Sequence, residues 1–95
     1  MDNIMKVYQD AARKFAARYE REVSEHIIHI IASVMLTRDG VLFGGSFVSA
    51  VVQNDLYTAV AYADNEVLKE IKLITLSKHN AFVDPKHSLI NQPYD

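Results

Sequence analysis

Residues 3 to 36 contain neither glycine nor proline, and their apolar side chains recur at helical spacing. The apolar stripe does not run straight. On a wheel of about 100° per residue, Ile4, Tyr8, Ala11, Ala12, Phe15 and Tyr19 share one face. Val23, Ile27, Ile30, Ile31 and Val34 share another, rotated by roughly 100°. A single straight helix turns only one such face to one core. Either the helix breaks near Tyr19–Ser24, or one long helix buries its two faces against two different bodies. In so short a chain, the second arrangement needs a partner subunit on the N-terminal face. We therefore expect a homo-oligomer, a dimer first of all, formed through the face of Ile4, Phe15 and Tyr19.

Local signals support a helical start. Asp2 or Asn3 can cap it by accepting an orphan backbone N–H. Lys6–Asp10, Asp10–Lys14, Arg18–Glu22 and Arg21–Glu25 have the i,i+4 spacing that favours helix. Asp39-Gly40 then marks a turn. Ser46 is placed to cap a helix over Phe47–Gln53, Asn54 or Asp55 one over Leu56–Ala63, and Asp64 or Asn65 one from Glu66 to Lys78. Asn80 suits a left-handed stop. The remaining residues, with Pro85 and Pro93, read as an extended tail. A competing reading pairs Val34–Thr37 with Val41–Phe43 in a hairpin and makes Phe47–Val52 and Tyr57–Tyr62 strands, because β-branched residues are common there. The regular spacing of cap residues favours helices. The expected fold is all-α: a long N-terminal helix, or a broken helix pair, packed on three short helices. It forms a single helical domain over 1–80 and an extended C-terminal tail over 81–95.

The 95 residues fit one domain. The chain has no cysteine, so neither a disulfide nor a thiolate metal site contributes to its stability. A formal charge of −2 argues against general nucleic-acid binding, which needs a basic patch. The start, Met1-Asp2-Asn3, lacks the pattern of a signal peptide. The most apolar window, Ile27 to Leu36, is too short to span a bilayer. These features predict a cytoplasmic protein without a membrane partner.

Four groups of residues are candidates for function. Glu22, Glu25, His26 and His29 lie on one helical stripe and resemble half of a bundle metal site, which takes Glu-x-x-His ligands from facing helices. The plainer account is a polar stripe. Gly44-Gly45-Ser46 before a helix can offer backbone N–H groups to an anion, although a turn and a cap explain it as well. Tyr8, Lys14, Arg18, Tyr19 and Arg21 form a mildly basic, aromatic-interleaved surface for a partner or a phosphate, diluted by Asp10, Glu20 and Glu22. Tyr57, Tyr62 and Tyr94 are either interface anchors or core rings with a surface hydroxyl. The acidic-amide pairs Asn54-Asp55 and Asp64-Asn65 fit helix caps better than acid–base chemistry.

The run Gly45-Ser46-Phe47-Val48, Ala50-Val51-Val52, Asn54-Asp55-Leu56, Ala59 and Ala63-Asp64, continued by Ile71 and Asn80, resembles a pattern in small phage- and prophage-encoded proteins. Their pattern reads Gly-Ser-Phe-Leu-x-Ala-Val-Leu-x-Asn-Asp-Leu, followed by Ala-Asp and a short amphipathic helix. The likeness spans residues 44–80. It departs afterwards, because those proteins often continue with proline and a Trp-Gly-Ser stretch, and this chain has no tryptophan. The resemblance implies a phage setting and a helical core, and carries no functional residue.

The leading expectation is a small phage-type protein that binds and modulates, by inhibition, a host protein such as a defence or replication factor, without catalysis or cofactor, in the cytoplasm of a bacterial host cell. The alternatives are a small oligomeric binder that sequesters a nucleotide or another anionic small molecule, and a metal-binding helical protein. The recognition surface is expected on the first helix and on the tail from Ala81 to Asp95.

Overall fold

The computed structural model describes residues 2–83, with only the backbone of Asp2. Among the described residues six helices follow in order: α1 (Asp2–Arg18), α2 (Glu25–Arg38), α3 (Ser46–Val52), α4 (Leu56–Tyr62), α5 (Asn65–Lys69) and α6 (Ile71–Asn80). There is no strand among the described residues, so the hairpin reading is set aside.

The first helical region is broken, which resolves the rotated stripe. At the end of α1, Glu20 N–H donates to Ala17 O (2.9 Å) and Arg21 N–H to Ala16 O (3.1 Å). Glu20 sits in the left-handed region (φ 56°). This paired-bond stop recurs twice. Gly40 (φ 76°) ends α2 through Gly40 N–H to Thr37 O and Val41 N–H to Leu36 O. Asn54 (φ 62°) ends α3 through Asn54 N–H to Val51 O and Asp55 N–H to Ala50 O. Glycine and asparagine tolerate this conformation, whereas glutamate carries a Cβ penalty. Glu20→Gly is therefore expected to raise stability by about 0.5–1 kcal/mol, read as a higher midpoint in urea. A lower midpoint would show that the α1 stop is not held this way.

After the stop the chain folds back. Ser24 caps α2, its Oγ accepting from Ile27 N–H (3.3 Å). Helix α1 packs on α2, and α2 also touches α3 and α6. Ile27, Ile28, Ile31, Ala32, Val34, Met35 and Leu36 of α2 are all buried. A helix apolar on most sides belongs in the centre of a core. The α1 face expected to meet a partner subunit is used inside this chain: Tyr8, Ala11, Ala12 and Phe15 are buried. The middle of that face is therefore covered within the chain, while Ile4 is half-buried and Tyr19 is 44% exposed. The expected pairs Arg18–Glu22 and Arg21–Glu25 straddle the break; instead Arg13 pairs with Asp10 and Glu25, and Arg21 with Glu70.

A polar chain ties three helices together. Tyr8 Oη donates to Asp39 Oδ2 (2.8 Å). Asp39 accepts from Arg38 Nε (2.8 Å). Arg38 Nη1 reaches the carbonyls of Lys78 (3.1 Å), Ser77 (3.4 Å) and Ala81 at the end of α6, and its guanidinium lies over the Phe82 ring. A guanidinium fork thus satisfies the orphan carbonyls of that helix end. Asn80 lies within α6, and the helix stops at Ala81 in an extended conformation (φ −99°), not at a left-handed Asn80.

One further boundary differs from expectation. The helix expected over Glu66–Lys78 is split at Glu70 (φ −110°, ψ 17°) into α5 and α6, giving four short helices after α2. Past the end of α6 the chain is no longer helical, but Ala81 is fully buried and Val83 packs on the core. Residues 84–95, with His87 and Tyr94, lie outside the described residues, as does the side chain of Asp2 that was expected to cap α1.

Candidate functional site

Helix α4 leaves most of its apolar side chains uncovered. Its sequence, Leu56-Tyr57-Thr58-Ala59-Val60-Ala61-Tyr62, carries no charge, and of these residues only Ala59 is buried. Helix α4 packs chiefly on α3. Tyr57 is 85% exposed, Leu56 68%, Tyr62 63% and Val60 44%. At about 100° per residue, Leu56, Val60 and Tyr57 form one contiguous stripe, while Tyr62 projects from another side. Beside this stripe, α3, α4 and α6 enclose a groove of about 300 Å³, lined mainly by Ala50, Val51, Leu56, Ala59 and Leu76. Asp55 and His79 are the ionisable residues of its lining.

Local chemistry explains why the segment is helical despite this exposure. Asp55 accepts from Thr58 N–H (3.1 Å) and Thr58 Oγ1 (2.7 Å), capping α4. Asp64 accepts from Val67 N–H (2.8 Å), capping α5, and contacts His26 Nε2 (3.3 Å). Of the two expected cap positions in each pair, the aspartates act, and Asn54 serves the α3 stop instead. Both carboxyls are held below their ordinary value of 3.8: Asp55 by the Thr58 hydroxyl and then its N–H, Asp64 by the Val67 N–H foremost. A carboxyl lowered by folding stabilises the fold above its unfolded value, and that stability is lost as pH falls through the folded value. The melting temperature is thus expected to fall as pH drops below about 4. In Asp55→Asn/Asp64→Asn, where asparagine still caps, the acid fall is expected to be shallower. An unchanged acid fall in that variant would show that these caps do not set it.

The residues singled out in the sequence are dispersed. Tyr8 is 2% exposed and hydrogen-bonded to Asp39, so it cannot serve as a surface contact. Lys14 is exposed on α1. Arg18 lies over the Phe15 ring and donates to Asn80 O (2.9 Å). Tyr19 and Arg21 meet Lys69, Lys72, Leu73 and Leu76 along a second groove of about 350 Å³, where Arg21 pairs with Glu70.

The Gly-Gly-Ser turn serves packing. Gly44 N–H already donates to Thr37 Oγ1 (2.9 Å), and a Cβ on Gly44 would collide with the Val48 side chain. Gly45, not Ser46, is the cap residue of α3, and Ser46 is its first helical residue. That helix is only seven residues long. Of the metal candidates, Glu22 lies in the α1–α2 connection, Glu25 pairs with Arg13, His26 contacts Asp64, and His29 is exposed on α2. Among the described residues, no group of three or more His, Cys, Asp or Glu is placed to hold a metal ion.

Of the apolar stripe on α4, the sequence marked only Tyr57, as an interface anchor or a core ring. Leu, Tyr, Val and Ala at every position but Thr58 read equally well as core, and only the tertiary placement of α6 and α3 shows which positions are left outside. No helix among the described residues is long and apolar enough to cross a membrane. No protein-family model, curated protein or solved structure matches this chain.

Proposed function

We propose that this chain is a non-catalytic interaction protein that binds a protein of a bacterial host and inhibits it, and that α4 is its contact surface. The observation that carries this reading is an uncharged helix with one buried residue, presenting Leu56, Tyr57 and Val60 beside an apolar groove. Fully burying an exposed leucine is worth roughly 1.5–3 kcal/mol, and tyrosine is a preferred anchor of protein interfaces. The phage setting rests on the resemblance of residues 44–80, and the inhibited host protein is an expectation drawn from that setting and from the small size of the chain. The test is quantitative capture from host lysate by the intact chain and by Leu56→Ala/Tyr57→Ala. Proteins retained by the first and lost by the second support the reading; an identical set from both contradicts it.

The sequestering alternative would use the groove of Tyr19, Arg21, Lys69 and Lys72, which Glu70 also lines and where it pairs with Arg21. Thermal melts with ATP, cyclic nucleotides and inorganic phosphate address it. Stabilisation by one of them that is lost in Lys69→Ala/Lys72→Ala would favour that reading, and no stabilisation by any would remove it.

A further inference from the structure

The charge pattern around α4 specifies what kind of partner fits it. Between Arg38 and Lys69 the chain contains no lysine, arginine or histidine, although it has ten lysines and arginines elsewhere. The charged side chains of that stretch are Asp39, Asp55, Asp64 and Glu66. Asp39 is neutralised by Arg38. Asp55 stands at the first end of α4, and Asp64 and Glu66 follow its last. The apolar stripe is thus bracketed by carboxylates across about 10 Å of helix. Hydrogen bonds from Thr58, Val67 and Ser24 hold these carboxylates in place without removing their charge. From the packed elements, His79 lines the groove and His26 contacts Asp64, Glu66 turns to Ser24 in a hollow that Lys69 also lines, and Lys69 and Lys72 line the groove beside Tyr19.

We infer that the occupant of the α4 face is a short amphipathic segment of another protein, with apolar anchors on one side and lysine or arginine at both ends. This rests on the reading of α4 as the contact surface. The apolar anchors enter the groove beside Leu56 and Ala59 and pack on Val60 and Tyr57. The flanking cations meet Asp55, which lines the groove, at one end and the half-exposed Asp64 at the other. Complementary charge adds rate and selectivity to an apolar contact. The same charges disfavour the other occupants. A second copy laid antiparallel on α4 sets Asp55 against Asp64 of its mate. Nucleic acid and anionic lipid surfaces require basic side chains, not carboxylates.

The test uses the full chain and two labelled synthetic peptides of about 14 residues, with leucines at i, i+3, i+4 and i+7. One carries lysines at both ends, the other glutamates. Fluorescence anisotropy is read at about 20 mM and about 500 mM salt, which span weak and strong screening. The expected result is at least about tenfold tighter binding of the lysine peptide at low salt, an advantage that shrinks at high salt. Asp55→Asn/Asp64→Asn is expected to reduce the preference, and Leu56→Ala/Tyr57→Ala to weaken both peptides. Equal binding of both peptides, lost in Leu56→Ala/Tyr57→Ala, overturns the charge inference and leaves the α4 surface standing. Binding of neither peptide, or a lysine preference that survives Leu56→Ala/Tyr57→Ala, overturns both. A dimer in sedimentation that Leu56→Ala/Tyr57→Ala dissolves makes a second copy the occupant and overturns the inference.

Discussion

Phe15→Ala is expected to leave the chain largely unfolded at ordinary growth temperature. The ring is fully buried on the α1 face that packs on α2, with Tyr19 at 5.0 Å and the Arg18 guanidinium over it. Removing a buried phenylalanine costs about 3–5 kcal/mol, because apolar contact is lost and a cavity remains. Whole domains are stable by only about 5–15 kcal/mol, and a chain of 95 residues without cysteine sits toward the lower end. Circular dichroism melts check this. A fall of only a few degrees would mean that α1 is not docked on α2 in solution, as the continuous-helix arrangement requires.

The second large effect separates binding from folding. In Leu56→Ala/Tyr57→Ala, both side chains are mostly exposed, and exposed substitutions change stability by no more than about 0.5 kcal/mol. Alanine also favours helix. The melting temperature is therefore expected to stay within a few degrees of the parent chain. Partner binding is expected to fall by about 30-fold or more, since one central interface anchor is worth about 2 kcal/mol or more. A large loss of stability instead would show that α4 is buried in the free protein and is not a docking surface.

Much of the helical architecture follows from local chemistry. The turn at Gly40 and the caps at Asp55 and Asp64 were readable because their residue types suit their backbone roles. The rotated stripe indicated a break or a partner, and it took Glu20 to decide between them. Glutamate rarely adopts a left-handed conformation, so nothing in its type marks a helix end. The split at Glu70 is equally silent, because Val67, Leu68, Ile71 and Ile74 keep one apolar side through it. Tyr8 illustrates the limit for site residues: its spacing fits a surface aromatic and a core ring alike, and the Asp39 acceptor that makes it a core ring is distant in sequence. The same ambiguity left Tyr57 and Tyr62 of α4 undecided between anchor and core ring, because exposure there comes from what α3 and α6 leave uncovered.

The most direct measurement is a photo-reactive phenylalanine analogue placed at Tyr57 and, in a separate protein, at Lys14, each irradiated in bacterial host cells. If α4 is the contact surface, a discrete adduct to a cellular protein forms from position 57, is absent from position 14, and disappears with Leu56→Ala. Adducts from position 14 with none from position 57 would place recognition on α1 and contradict the assignment of α4.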